Sequence, residues 1–173
     1  MEAKNECHVC GREMYFYSEY LKSGLCAKHF EKMLVRRVRS AIISEGFRDR
    51  TFKIIKNDSA ASRFLGLVFM EDDKSDLTLD TNTVEDFSAE VLEYFTLGTK
   101  PPAKVSHGNV FNPLYLTSEK EIIAFLKLKG VEGREKHRSE MDAYLLSIAE
   151  TVEKRRPGAM ISSVKIGREM DII

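Results

Sequence analysis

The hydrophobic positions of this chain repeat with helical spacing in several long stretches and form short β-branched or aromatic runs between them. The clearest helical stretch has apolar residues one turn apart, at Phe30, Leu34, Val38 and Ile42, and Gly46 marks its end. This pattern predicts an amphipathic helix that turns these four side chains toward a core.

The middle of the chain alternates between strand and helix patterns. The β-branched and aromatic run 51–56 predicts a strand, the small polar residues of 57–62 predict a loop, and the apolar stretch 63–70 predicts a buried helix. A short strand is predicted at 77–79. Strand, small-residue loop and helix, in this order, is how α/β folds place an anion at a helix N-terminus.

The second half predicts further helices with clear starts and stops. Thr83 caps a helix whose predicted apolar face consists of Val84, Phe87, Val91, Tyr94 and Phe95. Ser118 and Glu121 form a capping box that opens a helix over 119–129. The last predicted helix runs from about 139 to 155, and Pro157 stops it.

Composition and charge limit the class of protein. With 173 residues, 43% of them hydrophobic, the chain is long enough for one ordinary domain plus a small module. The absence of a long apolar run and of a signal-peptide pattern predicts no membrane association and a cytoplasmic location. The formal net charge is zero, so binding to a polyanion would require a local basic surface.

All three cysteines of the chain fall near the N-terminus in a pattern typical of metal ligands. Cys7 and Cys10 form one pair, Cys26 and His29 form a second, and fifteen residues separate the two pairs. This is the spacing of a structural Cys₃His zinc site, and it predicts one Zn²⁺ per chain. The alternative is three ordinary buried cysteines. His8 does not have the spacing of a ligand and is predicted to lie on the surface.

Positive charge is concentrated on the helix that follows this site. Lys32, Arg36 and Arg39 fall on the side opposite the apolar stripe, and Arg37 flanks them. Such a surface can contact nucleic-acid phosphates without reading sequence, and it is equally compatible with a solvated helix face.

Two other groups of residues have alternative interpretations. The acids Glu85, Asp86, Glu119 and Glu121 lie in the first turns of predicted helices, where the helix dipole favours them, so catalysis is the weaker interpretation. The aromatic residues 15–17 belong either to the core of the metal-binding module or to a surface that stacks on bases.

Four segments together resemble the tRNA two-thiouridine synthetase family, the PP-loop tRNA sulfurtransferases. The most specific is the metal-ligand set with HFEKMLVRRVRSAI after it, and the second is NPLYLTSEKEIIAFLKLKGV. Segments 79–86 and 154–158 are similar to the family more weakly. The resemblance implies an α/β fold: an N-terminal zinc ribbon followed by a reduced Rossmann-like (PP-loop or HUP-like) domain.

The chain departs from this family where the family binds ATP. In place of a Ser-Gly-Gly-x-Asp-Ser loop it has Ser59, Ala60, Ala61, Ser62 and Arg63. Alanine obstructs the left-handed backbone that such loops often use, and an arginine replaces the acid. The spacing to the next motif implies that part of the sheet is missing. The family's second zinc ribbon and the cysteines of its sulfur chemistry are also absent from the sequence.

These observations predict a truncated, degenerate relative of the thiolation enzymes. The predicted regions are a zinc ribbon over 1–30, a connecting basic helix over 31–47 and a degenerate PP-loop-like domain over 48–173. The expected partners are tRNA, a catalytically active thiolation protein, or both, and ATP is not expected as a cofactor. Two alternatives stay open: a sulfurtransferase that still binds ATP in an altered loop, and a zinc-ribbon interaction module unrelated to RNA. The sequence also leaves open whether a homodimer completes the sheet.

Overall fold

The structure is a computed structural model that describes residues 5–18, 21–98 and 101–173. Its N-terminal part is a two-stranded antiparallel ribbon, β1 (Phe16–Ser18) and β2 (Ser23–Leu25). Helix α1 (Ala27–Ser44) follows directly and buries Phe30, Leu34, Val38 and Ile42. The predicted amphipathic helix is therefore confirmed, with the predicted stripe in the core.

A four-stranded mixed sheet forms the centre of the remaining chain. Its strands are β3 (Lys53–Ile54), β4 (Thr78–Leu79), β5 (Ser106–His107) and β6 (Val110–Phe111), in the order β3-β4-β6-β5. β3, β4 and β6 are parallel, and β5 pairs antiparallel with β6 at the edge. Parallel strands require crossover connections, which the helices α2 (Ala60–Val68) and α3 (Val84–Leu97) supply.

Three more helices complete the fold: α4 (Glu119–Leu128), α5 (Glu140–Arg155) and α6 (Ala159–Glu169). One group of packed helices consists of α1, α2 and α4, and the other consists of α3, α5 and α6. Fully buried aromatic side chains such as Phe64, Phe87 and Phe111 belong to one continuous core cluster. No helix within the described residues is long and apolar enough to cross a membrane.

Several predicted boundaries need correction. Helix α2 begins at Ala60 inside the predicted loop, because Ser59 caps it by accepting a hydrogen bond from the Ser62 backbone N–H. Phe95, placed on the apolar face of α3, is 56% exposed because it lies beyond the part of the helix that packs. The chain also continues into α6 after Pro157, where the sequence predicted only a stop.

Candidate metal centre and the N-terminus of helix α2

The four predicted metal ligands converge on one point. Their ligand atoms, from Cys7, Cys10, Cys26 and His29, all lie within 4.8 Å of one another. The Cys10 and Cys26 sulfurs are 3.7 Å apart, and His29 Nδ1 lies 3.4 Å from the Cys7 sulfur and 3.5 Å from the Cys26 sulfur. These residues can hold one metal ion.

Local backbone geometry explains why the first pair points inward. The Cys7 carbonyl accepts hydrogen bonds from the backbone N–H groups of Cys10 and Gly11, which closes a tight turn. Gly11 has a φ of +69°, a left-handed conformation that favours glycine. Gly24 is required for a different reason: a Cβ there would lie 2.5 Å from the Met14 sulfur.

The second pair is positioned by α1. Cys26 is the N-cap residue of the helix, and His29 lies in its first turn, so one short segment fixes both ligands. His8 lies outside the ligand set, and its backbone N–H donates to the Gly24 carbonyl. The prediction that His8 is a surface residue is confirmed.

The electrostatics of the thiols favour a bound cation. Burial acts to raise the pKa of Cys7, but the backbone N–H groups of Cys26 and Val9 and the side chain of His29 lower the pKa to about 5. The thiolate is the form that ligates a metal. The pKa of Cys10 is raised: the Arg12 backbone N–H lowers it, but burial and the neighbouring sulfurs outweigh that effect. A cation between the sulfurs would relieve their mutual repulsion.

The ribbon is docked on the rest of the chain. The Phe16 ring stacks on Phe30 of α1 at a centroid distance of 4.6 Å, and the Tyr15 hydroxyl donates to the Ala124 carbonyl of α4 at 2.6 Å. Phe16 therefore belongs to the ribbon's own packing, whereas Tyr17 is 39% exposed. The metal site thus has a fixed orientation relative to α1 and α4.

The four cations predicted to contact RNA occupy different environments on α1. Lys32, Arg36 and Arg39 are exposed. Arg39 also donates to the Val68 carbonyl at 3.3 Å. Arg37 is turned inward and pairs with Glu121 at 2.7 Å, so its charge is neutralised within the chain. Sequence spacing missed Lys28, an exposed cation one turn before Lys32 that extends this stripe to the metal site.

The five residues predicted to replace a nucleotide-binding loop, 59–63, form the N-terminus of α2, at the carboxyl end of β3. Most of their polar groups are bonded inside the chain. The Ala60 backbone N–H donates to the Arg134 carbonyl at 2.9 Å, and the Ser59 backbone N–H donates to Asn57 Oδ1 at 3.1 Å. Arg63 does not point at an anion site, because its guanidinium donates to the Glu132 carbonyl at 2.9 Å.

Segment 132–134 covers this helix terminus closely. Ser59 and Arg134 form an isolated parallel bridge. A Cβ on Gly133 would lie 3.1 Å from the Ala60 Cβ and 2.7 Å from Leu126 Cδ1, so glycine is needed for the approach. The chain's own backbone therefore covers a helix N-terminus, the kind of position at which an anion can bind.

The four acids predicted at helix N-termini lie at the starts of α3 and α4, and a contact between them also connects these two helices. Asp86 and Glu121 complete the capping boxes of α3 and α4, as the helix-terminus interpretation expected. Glu85 is buried and accepts from the Glu119 backbone N–H, and burial raises its pKa to about 7. Arg138 pairs with both Asp86 and Glu119, a connection that sequence spacing did not indicate.

The fold and site define a class: an α/β protein with an N-terminal Cys₃His metal module and a mixed, mainly parallel sheet. No family model and no curated protein sequence matches the chain. Among solved structures it is similar in fold to one described as "U34-tRNA thiolase NcsA from Methanococcus maripaludis with its [4Fe-4S] cluster". The TM-score is 0.82 at 11% identity, and the alignment covers 96% of this chain and 88% of that one.

Proposed function

We propose that this protein is a non-catalytic relative of the tRNA-thiolation enzymes that binds tRNA through its metal ribbon and the exposed face of α1. The observation that carries the proposal is a fold like that of a tRNA thiolase combined with an α2 N-terminus whose amides are bonded within the chain. A protein of this kind contributes RNA binding to thiolation and leaves adenylation to an active enzyme.

Zinc is the metal that we propose for the ribbon. Zn–S bonds of about 2.3 Å and Zn–N bonds of about 2.0 Å give tetrahedral edges of about 3.8 Å between sulfurs and about 3.6 Å between sulfur and nitrogen. The separations of 3.7, 3.4 and 3.5 Å fit these edges. An iron–sulfur cluster such as the one named for the thiolase is typically held by four cysteines on different irons, and this ribbon offers three cysteines and a histidine.

The contacts of α2 support the proposed loss of adenylation. A phosphate needs free backbone N–H groups at a helix terminus, and here the Ala60 N–H is bonded to Arg134 while Ser59 and Ser62 bond within their own turn. An ATP phosphate would have to displace segment 132–134. Arg63 would then lose its bond to the Glu132 carbonyl.

The proposed RNA surface consists of exposed cations on a helix that the ribbon holds in place. Lys28, Lys32 and Arg36 are exposed at successive turns of one helix, and the docked ribbon holds that helix rigidly. Cations arranged in this way follow a phosphate backbone and contribute affinity that falls with salt. Arg37 contributes differently, because its pair with Glu121 fixes α1 to the start of α4.

The test is tRNA binding over a salt series with the double variant Lys32→Ala, Arg36→Ala. Both side chains are exposed, so the folded state should lose less than about 1 kcal/mol. If each contacts one phosphate, binding weakens and the dependence of log K on log salt falls by about one per contact. A matched control replaces Lys74 and Lys165, two exposed lysines on other elements.

The control should bind like the parent protein. Equal binding by the α1 variant and the parent would remove this surface from the proposal. A parent that binds no tRNA at low salt would contradict RNA binding itself and favour a protein-interaction role. Metal analysis of protein purified without chelator should give one zinc per chain, and the visible absorption of an iron–sulfur cluster would contradict the zinc assignment.

A further inference from the structure

A cleft of about 530 Å³ lies between strand β1 of the ribbon and helices α3, α4, α5 and α6. Strand β1 forms one side with Phe16 and Tyr17. The N-terminal turns of α3, α4 and α6 form much of the rest, and the end of α5 completes it. Its volume is within the range of pockets that hold small ligands. None of the described residues that line the cleft belongs to segment 59–63.

Three of the four glutamates that line the cleft are partnered within the chain or shifted toward the neutral form. Burial raises the pKa of Glu85 to about 7, which favours its neutral form. Glu121 pairs with Arg37, and Glu153 accepts from the backbone N–H groups that begin α6. Of the described lining residues, the charged ones that remain are Glu150 and two exposed lysines, Lys120 and Lys154.

The walls of the cleft suit a planar ring. Tyr17 presents a partly exposed aromatic side chain, and Val84, Met160 and Ile161 supply apolar surface. The lining also includes Glu85 and Glu121, which lie in the first turns of α3 and α4. Unpaired RNA bases are recognised in this way, by stacking on an aromatic residue and by hydrogen bonds to their edges.

Positive charge continues outside the cleft. Lys154, which lines it, is followed by Arg155 and Arg156, and all three are exposed. Glu121 of the cleft wall also pairs with Arg37 of α1, the helix whose exposed cations form the proposed RNA surface. A strand bound at the cleft would therefore have cations beyond it for phosphate contacts.

We propose that this cleft binds one unpaired base of an RNA, with Tyr17 stacking on the ring and Lys120 and Lys154 contacting the flanking phosphates. The inference rests on the proposed RNA-binding function and adds a site to it. It also explains why the ribbon is fixed against α4 by Tyr15, since a rigid ribbon holds Tyr17 at the cleft.

The test compares two RNAs: a tRNA anticodon stem-loop, which has unpaired bases, and a duplex of the same stem without the loop. The variant Tyr17→Ala should weaken stem-loop binding about tenfold, since base stacking contributes roughly 1–3 kcal/mol, and leave duplex binding unchanged. Tyr17→Phe, which keeps the ring, should bind like the parent. The control Tyr144→Ala removes a tyrosine of α5 that is 63% exposed and does not line the cleft.

A second readout does not depend on affinity. 2-Aminopurine placed in the loop should change its fluorescence on binding to the parent and to Tyr17→Phe, and not on binding to Tyr17→Ala. If Tyr17→Ala binds both RNAs like the parent, or weakens both equally, the cleft proposal is overturned while RNA binding stands. If the parent binds neither RNA, the proposed function itself fails.

Discussion

The metal ribbon and the N-terminus of α2 both lie directly before a helix, yet they have opposite chemistry. In the ribbon, four ligand atoms lie within 4.8 Å of one another, with sulfur–sulfur and sulfur–nitrogen contacts of 3.4, 3.5 and 3.7 Å. At α2, the backbone N–H of Ala60 and the guanidinium of Arg63 are bonded to carbonyls of segment 132–134.

This difference separates a site that needs a ligand from one that is complete without it. Thiolates brought together repel one another until a cation lies between them, so this arrangement favours a bound metal. A helix terminus whose amides have internal acceptors gains nothing from an anion. Loop composition alone does not distinguish the two cases, because the acceptors come from Glu132 and Arg134, about seventy positions further along the chain.

The largest expected effect is the loss of a metal ligand. Cys26→Ser should release the metal and unfold the ribbon, because structural zinc contributes on the order of 10 kcal/mol to the folding of small modules. Limited proteolysis and metal analysis measure both consequences. His8→Ala is the control, since His8 is outside the ligand set. A Cys26→Ser protein that keeps one metal ion per chain would contradict the role of Cys26 as a ligand.

The next largest effect concerns Glu85, because burial favours the protonated form of its carboxyl group. Its folded pKa of about 7 lies above the ordinary glutamate value, so its contribution to stability is complete below about pH 4.5 and is lost as the pH rises through 7. Glu85→Gln should therefore be more stable than the parent by up to about 3 kcal/mol at pH 8, and the difference should vanish near pH 5.

Urea unfolding at several pH values measures this difference. The charges nearest Glu85 are Glu119, Asp86 and Arg138, and they are unchanged in the variant. Glu135→Gln, at an exposed position, should show no such pH dependence. A parent and a Glu85→Gln variant with parallel pH profiles would show that Glu85 is not neutral in the folded protein.

A smaller effect tests how tightly segment 132–134 covers α2. Gly133→Ala should destabilise the protein by about 1–3 kcal/mol, because the new methyl group meets Ala60 and Leu126 in a filled space. Gly66→Ala, inside α2 with open space around it, should instead stabilise by about 0.5–1 kcal/mol. Thermal unfolding of both variants measures these changes in stability. A neutral Gly133→Ala would mean that the segment lifts easily.

The smallest expected effect is that of ATP on stability. Millimolar ATP with Mg²⁺ should leave the unfolding temperature of the parent unchanged, because binding to the folded state alone would raise it. Arg63→Ala should behave in the same way, since its side chain is exposed and donates only to the Glu132 carbonyl among the described contacts. A clear ATP-dependent shift that Arg63→Ala abolishes would favour the sulfurtransferase alternative.

Much of the fold was predictable from local patterns. Phe30 to Ile42 on α1 and the Ser118–Glu121 capping box were confirmed, because periodicity and capping depend on residues within one or two turns. Helix α6 was missed: its apolar pattern is weak, and the chain re-enters a helix after Gly158 because Glu153 of α5 accepts from its first N–H groups.

The sequence by itself predicted the Cys/His cluster that the structure brings together, because each pair lies within four residues and a tight turn or a helix start aims both side chains. Tertiary structure alone decided the rest. It paired Arg37 with Glu121, placed the Arg134 carbonyl on Ala60, and formed a cleft between β1 and three helix starts. These contacts join elements far apart along the chain, and hydrophobic periodicity states which face of an element is buried without stating which element covers it.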